Sequence, residues 1–170
     1  RIAVLGLGNW GTAIARLWLQ DGHTVNGWTI EEEVYASIMT DDVNEKYLPN
    51  RSIKGLEVTM RIEDAINDVE IVVLAVPSAH ILDVVEALLP HLRPGHVLLD
   101  LAKGLAPGKR LISEAIEGML KANNMSNALA VLTGPTIAPE AADGVMTTAL
   151  VASSDLSIAT RLAQTLTTPT

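Results

Sequence analysis

Short runs rich in β-branched residues alternate along the chain with longer segments whose apolar positions recur at helical spacing. That alternation is the pattern of βαβ units and a parallel sheet. The runs predict strands at about 2–5, 24–28, 56–59, 70–76, 97–101, 128–133 and 146–151. Their Val, Leu, Ile and Ala lack strict alternation, as expected of strands covered on both faces by helices. Between them, Ile14, Leu17 and Trp18 share one face of a helix, and Ile81, Val84, Val85 and Leu88 share one face of another. Turns fall at Asp21-Gly22, Pro94-Gly95 and Pro107-Gly108, and Thr29-Ile30-Glu31-Glu32 has the form of a capping box opening a helix. One stretch breaks the rhythm: Asp41 to Gly55 is polar and irregular, with Tyr47-Leu48-Pro49 inside it. Long excursions of this kind often carry function.

Composition narrows the picture. The 170 residues, 48% hydrophobic and 19% charged, suit one domain spanning 1–170. Twelve basic against 20 acidic residues leave a net charge of −8, which argues against gripping nucleic acid or an anionic membrane surface. The absence of cysteine excludes a disulfide framework, a thiolate zinc site and a cysteine nucleophile. His23, His80, His91 and His96 show no metal-ligand spacing, and all four are expected to be structural or solvated. Ile71 to Val76, the longest aliphatic run, is too short to cross a bilayer. With no signal pattern at the start, a cytoplasmic location is expected. The chain opens on Arg1 rather than methionine and closes on Thr170 after a helical pattern, which predicts a fragment of a longer protein.

Gly6-Leu7-Gly8-Asn9-Trp10-Gly11 matches G-x-G-x-x-G directly after the first strand and at the opening of the first helix, the placement that a dinucleotide-binding turn requires. The first glycine permits the tight turn, the second lets the backbone approach a pyrophosphate, and the third lets the helix pack close to the strand. The helix N-terminus then binds the anion, and the Asn9 amide can reach a phosphate. A glycine-rich turn without a ligand is the bland alternative. The fold class that follows is α/β, a Rossmann-type doubly wound, mostly parallel sheet with helices on both faces. After the second strand come Thr29, Ile30, Glu31, Glu32 and Glu33, with no basic side chain among them. A carboxylate there binds ribose hydroxyls and repels an extra phosphate, so NAD is expected over NADP with Glu31 as the ribose ligand. The glutamates also suit a helix N-terminus for its own sake.

Ligands in open parallel sheets sit beyond the carboxyl ends of the strands. There the chain offers Val76-Pro77-Ser78, Lys103-Gly104 and Gly134-Pro135-Thr136-Ile137-Ala138-Pro139-Glu140. Lys103 can place an ammonium on a substrate oxygen, or it is a solvated surface lysine. Gly134 and Thr136 can add an N–H and a hydroxyl to the same ligand; alternatively the segment is a helix start with Pro135 near its first position.

In order along nearly the whole chain, Gly6 through Ala13, Gly22-His23, Asn44 with Tyr47-Leu48-Pro49, Ala75-Val76-Pro77-Ser78, Lys103-Gly104-Leu105 and Gly134-Pro135-Thr136 resemble the N-terminal domain of NAD(P)-dependent glycerol-3-phosphate dehydrogenase. The resemblance implies hydride transfer between dihydroxyacetone phosphate and sn-glycerol 3-phosphate in glycerophospholipid synthesis. It also implies that Asn9, Trp10 and Ala138 lie against the cofactor, that Lys103 touches cofactor and substrate, and that Gly134 and Thr136 hold substrate. Two departures stand out. Many bacterial members carry a basic residue where this chain has Ile30, and members commonly show phenylalanine at Ile137. In the family a second, helical domain supplies the acid/base lysine, which is expected beyond Thr170. Lys103 alone is not expected to fill that role, so the fragment is expected to be inactive and the full-length protein an enzyme, with a homodimer as one expected assembly. The competing readings are another two-domain dehydrogenase, such as ketopantoate reductase or a hydroxyisobutyrate-type enzyme, and a non-catalytic nucleotide-sensing module.

Overall fold

A computed structural model describes residues 1–169, so the expectation about the chain's end at Thr170 lies outside the described residues. The chain runs β1 (Ile2–Leu5), α1 (Asn9–Gln20), β2 (Val25–Trp28), α2 (Glu32–Asp41), β3 (Val43–Asn44), β4 (Leu48–Ser52), β5 (Glu57–Thr59), α3 (Ile62–Ala65) and β6 (Ile71–Leu74). It continues through α4 (Ile81–Leu88), β7 (Val97–Asp100), β8 (Leu105–Ala106), β9 (Arg110–Leu111), α5 (Ile112–Ala122), β10 (Ala128–Thr133), α6 (Ala138–Ala142), β11 (Leu150–Ser153) and α7 (Leu156–Leu166). The main sheet has the order β5-β2-β1-β6-β7-β10-β11, parallel throughout except for the antiparallel edge strand β11.

All four residues of β1 are buried, because helices cover both faces of the sheet. Ala3 and Leu5 point with Val72, Leu74 and Leu98 into a core closed by Ile81, Val85 and Leu88 of α4 and Ile116 of α5. Ile2 and Val4 point the other way, with Val73 and Leu99, against Ile14 and Trp18 of α1 and Leu162 of α7. Successive connections leave β1 toward β2 and then cross back to β6, so the winding reverses between β1 and β6. A crevice opens outside the strand ends at such a reversal.

The fold class is the one expected, and four local features differ. The predicted last strand begins later, at Leu150, because β10 ends at Thr133 and leaves Met146 to Ala149 without a ladder partner. The Asp41–Gly55 excursion contains the hairpin β3-β4. Thr29 does not form a capping box: α2 is preceded by Glu31, and the Thr29 hydroxyl accepts from the Glu31 amide over 3.1 Å, which makes a turn before the helix. Nor does a helix start at Pro135. The Thr136 amide donates back to the Gly134 carbonyl over 2.9 Å, and α6 begins three residues after Pro135 with Pro139 in its first turn.

Candidate functional site

A cavity of about 740 Å³ opens at the carboxyl ends of β1, β2, β6 and β7. Gly6, Gly8, Asn9, Trp10, Glu31, Lys103, Thr136 and Ala138 all line it; Gly11 and Gly134 do not. The three glycines of the first turn have three different reasons to be glycine. Gly6 has φ +103, and a Cβ there would lie 2.7 Å from Val76 Cγ1. A Cβ on Gly11 would lie 1.9 Å from the Gly6 carbonyl oxygen, so that position sets how closely α1 approaches the turn. Gly8 faces open space, with nothing within 4 Å of its Cβ position. It also stands at the N-cap of α1, where no side chain caps the first-turn amides. An anion can therefore reach the backbone there.

The excursion is docked on this turn by Asn44, which is fully buried. Its amide donates to the Leu7 carbonyl over 2.8 Å and to the Thr12 hydroxyl over 2.9 Å, while its oxygen accepts from the Tyr47 amide over 3.2 Å. Tyr47 is thereby set in the cavity wall, and its hydroxyl donates to Glu31 Oε1 over 2.9 Å. Lys46 donates to Glu31 Oε2 over 2.5 Å and also to Glu33. The Lys46 ammonium, with Tyr47 adding to it against the opposing effect of burial, holds the Glu31 carboxyl below its ordinary range. Glu31 in turn pushes the Tyr47 phenol up. No basic side chain stands within the segment from Thr29 to Glu33, as its sequence reads, and the hairpin folds Lys46 onto it from outside.

On the far side, β6 runs into Ala75, Val76, Pro77 and Ser78, all at the wall. Gly104 has φ +130, and its Cβ position is 3.1 Å from Ser78 Oγ. Exposed Lys103 reaches toward the Thr136 carbonyl at 3.5 Å, the outer limit of a hydrogen bond. Gly134 is required by packing, since its Cβ position lies 2.6 Å from the Thr148 carbonyl oxygen. His80, expected to be structural or solvated, lines the cavity beside the start of α4. Asp100 closes β7; it is buried, accepts from the Ala102 amide over 2.8 Å, and burial pushes its carboxyl up to about 6. Tyr47, Trp28 and Lys46 had been given no role. For Tyr47 and Lys46 the local signal is the irregular excursion that holds them beside Asn44; Trp28 ends β2 and carries none.

A parallel sheet reversing at β1 and β6, with an uncapped helix N-terminus at the reversal and a carboxylate at the end of β2, defines a Rossmann-type dinucleotide-binding domain. Residues 1–159 match the family described as NAD-dependent glycerol-3-phosphate dehydrogenase N-terminus, and the chain belongs to that family. It is 40% identical over 162 residues to glycerol-3-phosphate dehydrogenase [NAD(P)+] of Koribacter versatilis, covering 94% of this chain and 48% of the relative. It is 31% identical over 170 residues to the enzyme of the same name from Geobacter metallireducens, covering 99% of this chain and 51% of the relative. The crystal structure of glycerol-3-phosphate dehydrogenase from Coxiella burnetii superposes with a TM-score of 0.90 at 29% identity, covering 98% of this chain and 50% of that one. The chain spans about half the length of the curated relatives it matches. Membership of this family sets aside the ketopantoate reductase and hydroxyisobutyrate readings.

Proposed function

We propose that this chain is the NAD-binding domain of a glycerol-3-phosphate dehydrogenase, whose full-length form interconverts dihydroxyacetone phosphate and sn-glycerol 3-phosphate. The observation that carries the reading is one cavity joining the open backbone at Gly8 to the ordered carboxylate of Glu31. Those residues fit the group: the turn from Gly6 to Trp10 would hold the pyrophosphate, Glu31 the ribose hydroxyls, and Ala138 would border the cofactor. Bound NAD supplies the hydride acceptor, or NADH the donor, at the substrate carbon. Lys103, with the Thr136 hydroxyl and the Gly134 backbone, is assigned to hold and orient substrate oxygens. Because a ketone reduced by hydride must also take up a proton, an acid of tuned pKa must stand within reach. That group is assigned to a second domain of the full-length protein.

Among the described residues, no helix is long and apolar enough to cross a membrane. A cytoplasmic enzyme, homodimeric at full length, is the setting this reading carries.

The test is a titration of the chain with NADH and NADPH, followed by emission from Trp10 and Trp28, both of which line the cavity. NADH is expected to bind more tightly. Equal or tighter binding of NADPH overturns the cofactor assignment, and binding of neither overturns the site. With dihydroxyacetone phosphate, full-length protein is expected to oxidise NADH and the 170-residue chain is not.

A further inference from the structure

We propose that Lys46 sets how strongly this site rejects the 2′-phosphate that distinguishes NADPH from NADH, a reading that rests on the cofactor site proposed above. The carboxylate at the end of β2 meets the ribose hydroxyls in this fold, so a 2′-phosphate falls beside Glu31. The single Tyr47 hydroxyl donates to Glu31 Oε1 over 2.9 Å, with Oε2 at 3.3 Å from it, and Lys46 donates to Oε2, so two donors engage the carboxylate. A carboxylate offers about four lone-pair sites, which leaves room for two ribose hydroxyls. A phosphate in place of one hydroxyl meets the same carboxylate with like charge. The cation that offsets it belongs to the hairpin rather than to the turn after β2.

Lys46 is suited to that part. Its ammonium carries three N–H donors. Two are engaged, by Glu31 and Glu33, and the third is left for a phosphate oxygen. The side chain is 41% exposed and needs no rearrangement of the core to meet an incoming group. Exposed ion pairs contribute little to folding, so stability alone is a weak reason for a lysine held between two glutamates. Its ammonium also lies 5.3 Å from the centre of the Tyr47 ring, which keeps it beside the cavity wall. With Ile30 apolar and 73% exposed at the cavity, the turn after β2 offers the phosphate no cation of its own.

Dissociation constants for NADH and NADPH are measured on the chain and on Lys46→Ala, Lys46→Arg and Arg51→Ala, with a thermal melt of each. Arg51 is the control: it is a hairpin cation paired bidentately with Asp143 rather than with Glu31. Lys46→Ala is expected to weaken NADPH about tenfold while changing NADH by less than about threefold. Lys46→Arg and Arg51→Ala are expected to preserve the wild-type ratio. An unchanged ratio in Lys46→Ala, an equal shift for both cofactors, or the same change in Arg51→Ala overturns the assignment. A wild-type chain that binds neither cofactor removes the site itself, an outcome distinct from NADH binding with an insensitive ratio.

Discussion

The Asn44 amide donates to the Leu7 carbonyl over 2.8 Å, joining the irregular excursion to the glycine turn through a side chain with no exposed surface. The same amide reaches Thr12, and the same side chain accepts from the Tyr47 backbone. Truncating it to alanine leaves buried polar groups unpaired in both segments, at a cost of about 1–3 kcal/mol. In a domain of this size that lowers Tm by about 2–12 °C. Asn44→Ala is therefore expected to melt earlier, and also to bind NADH more weakly, because Tyr47 and Glu31 lose their anchor. Calorimetry and a titration check the pair; an unchanged Tm contradicts the tie.

Gly8 and Gly11 separate ligand approach from packing. At Gly8 a methyl meets nothing within 4 Å, so Gly8→Ala is expected to fold with a near-native Tm and to lose NADH affinity by blocking the backbone. At Gly11 the methyl would stand 1.9 Å from the Gly6 carbonyl oxygen. Gly11→Ala is accordingly expected to lose Tm strongly, since a backbone atom cannot yield as a flexible side chain does. If both variants melt alike, the division of roles fails.

These contrasts bear on what could be read in advance. Strands such as Ile2–Leu5 and Ile71–Leu74 were legible because a strand buried on both faces must be apolar throughout. The glycine turn was legible because a strand, three spaced glycines and a helix start are contiguous. The hairpin was not. Its second strand reads Leu-Pro-Asn-Arg-Ser, mostly polar and exposed, and it is held through Asn44, whose amide donates to groups more than 30 residues away. Lys46 and Glu31 are 15 residues apart, so no local pattern joins them. Gly134 was identified, yet its need for glycine comes from Thr148 just ahead of the adjoining strand β11, a contact that no spacing rule encodes.

Lys103 follows β7 at the cavity edge, where it reaches the Thr136 carbonyl at 3.5 Å. If it holds substrate in the full-length enzyme, Lys103→Ala removes a charge-assisted hydrogen bond, about 1.5–3 kcal/mol, and turnover falls about ten- to a hundredfold. The melting temperature is expected to stay near native, because the side chain is exposed. Near-native kinetics would return Lys103 to the solvated surface, and a matching loss of Tm would make it a stability residue.

Asp100 gives a pH dependence opposite in sign to that of the ion-paired carboxylates. Burial raises its carboxyl from 3.8 to about 6, so the folded chain holds this proton more tightly than the unfolded chain. The associated stability is complete below about pH 4 and is lost as the pH rises through 6, for a total on the order of 3 kcal/mol. Asp143 and Asp155 run the other way: Arg51 and Ser157 lower their carboxyls, and their contribution disappears as the pH falls. The difference between wild type and Asp100→Asn isolates the first effect, because asparagine keeps an oxygen for the Ala102 amide without ionising. Denaturant unfolding should find the two proteins similar at pH 4 and the variant more stable at pH 7. A variant less stable than wild type at pH 7 would mean that the Asp100 carboxylate is stabilised in the fold, reversing the sign argued from its burial.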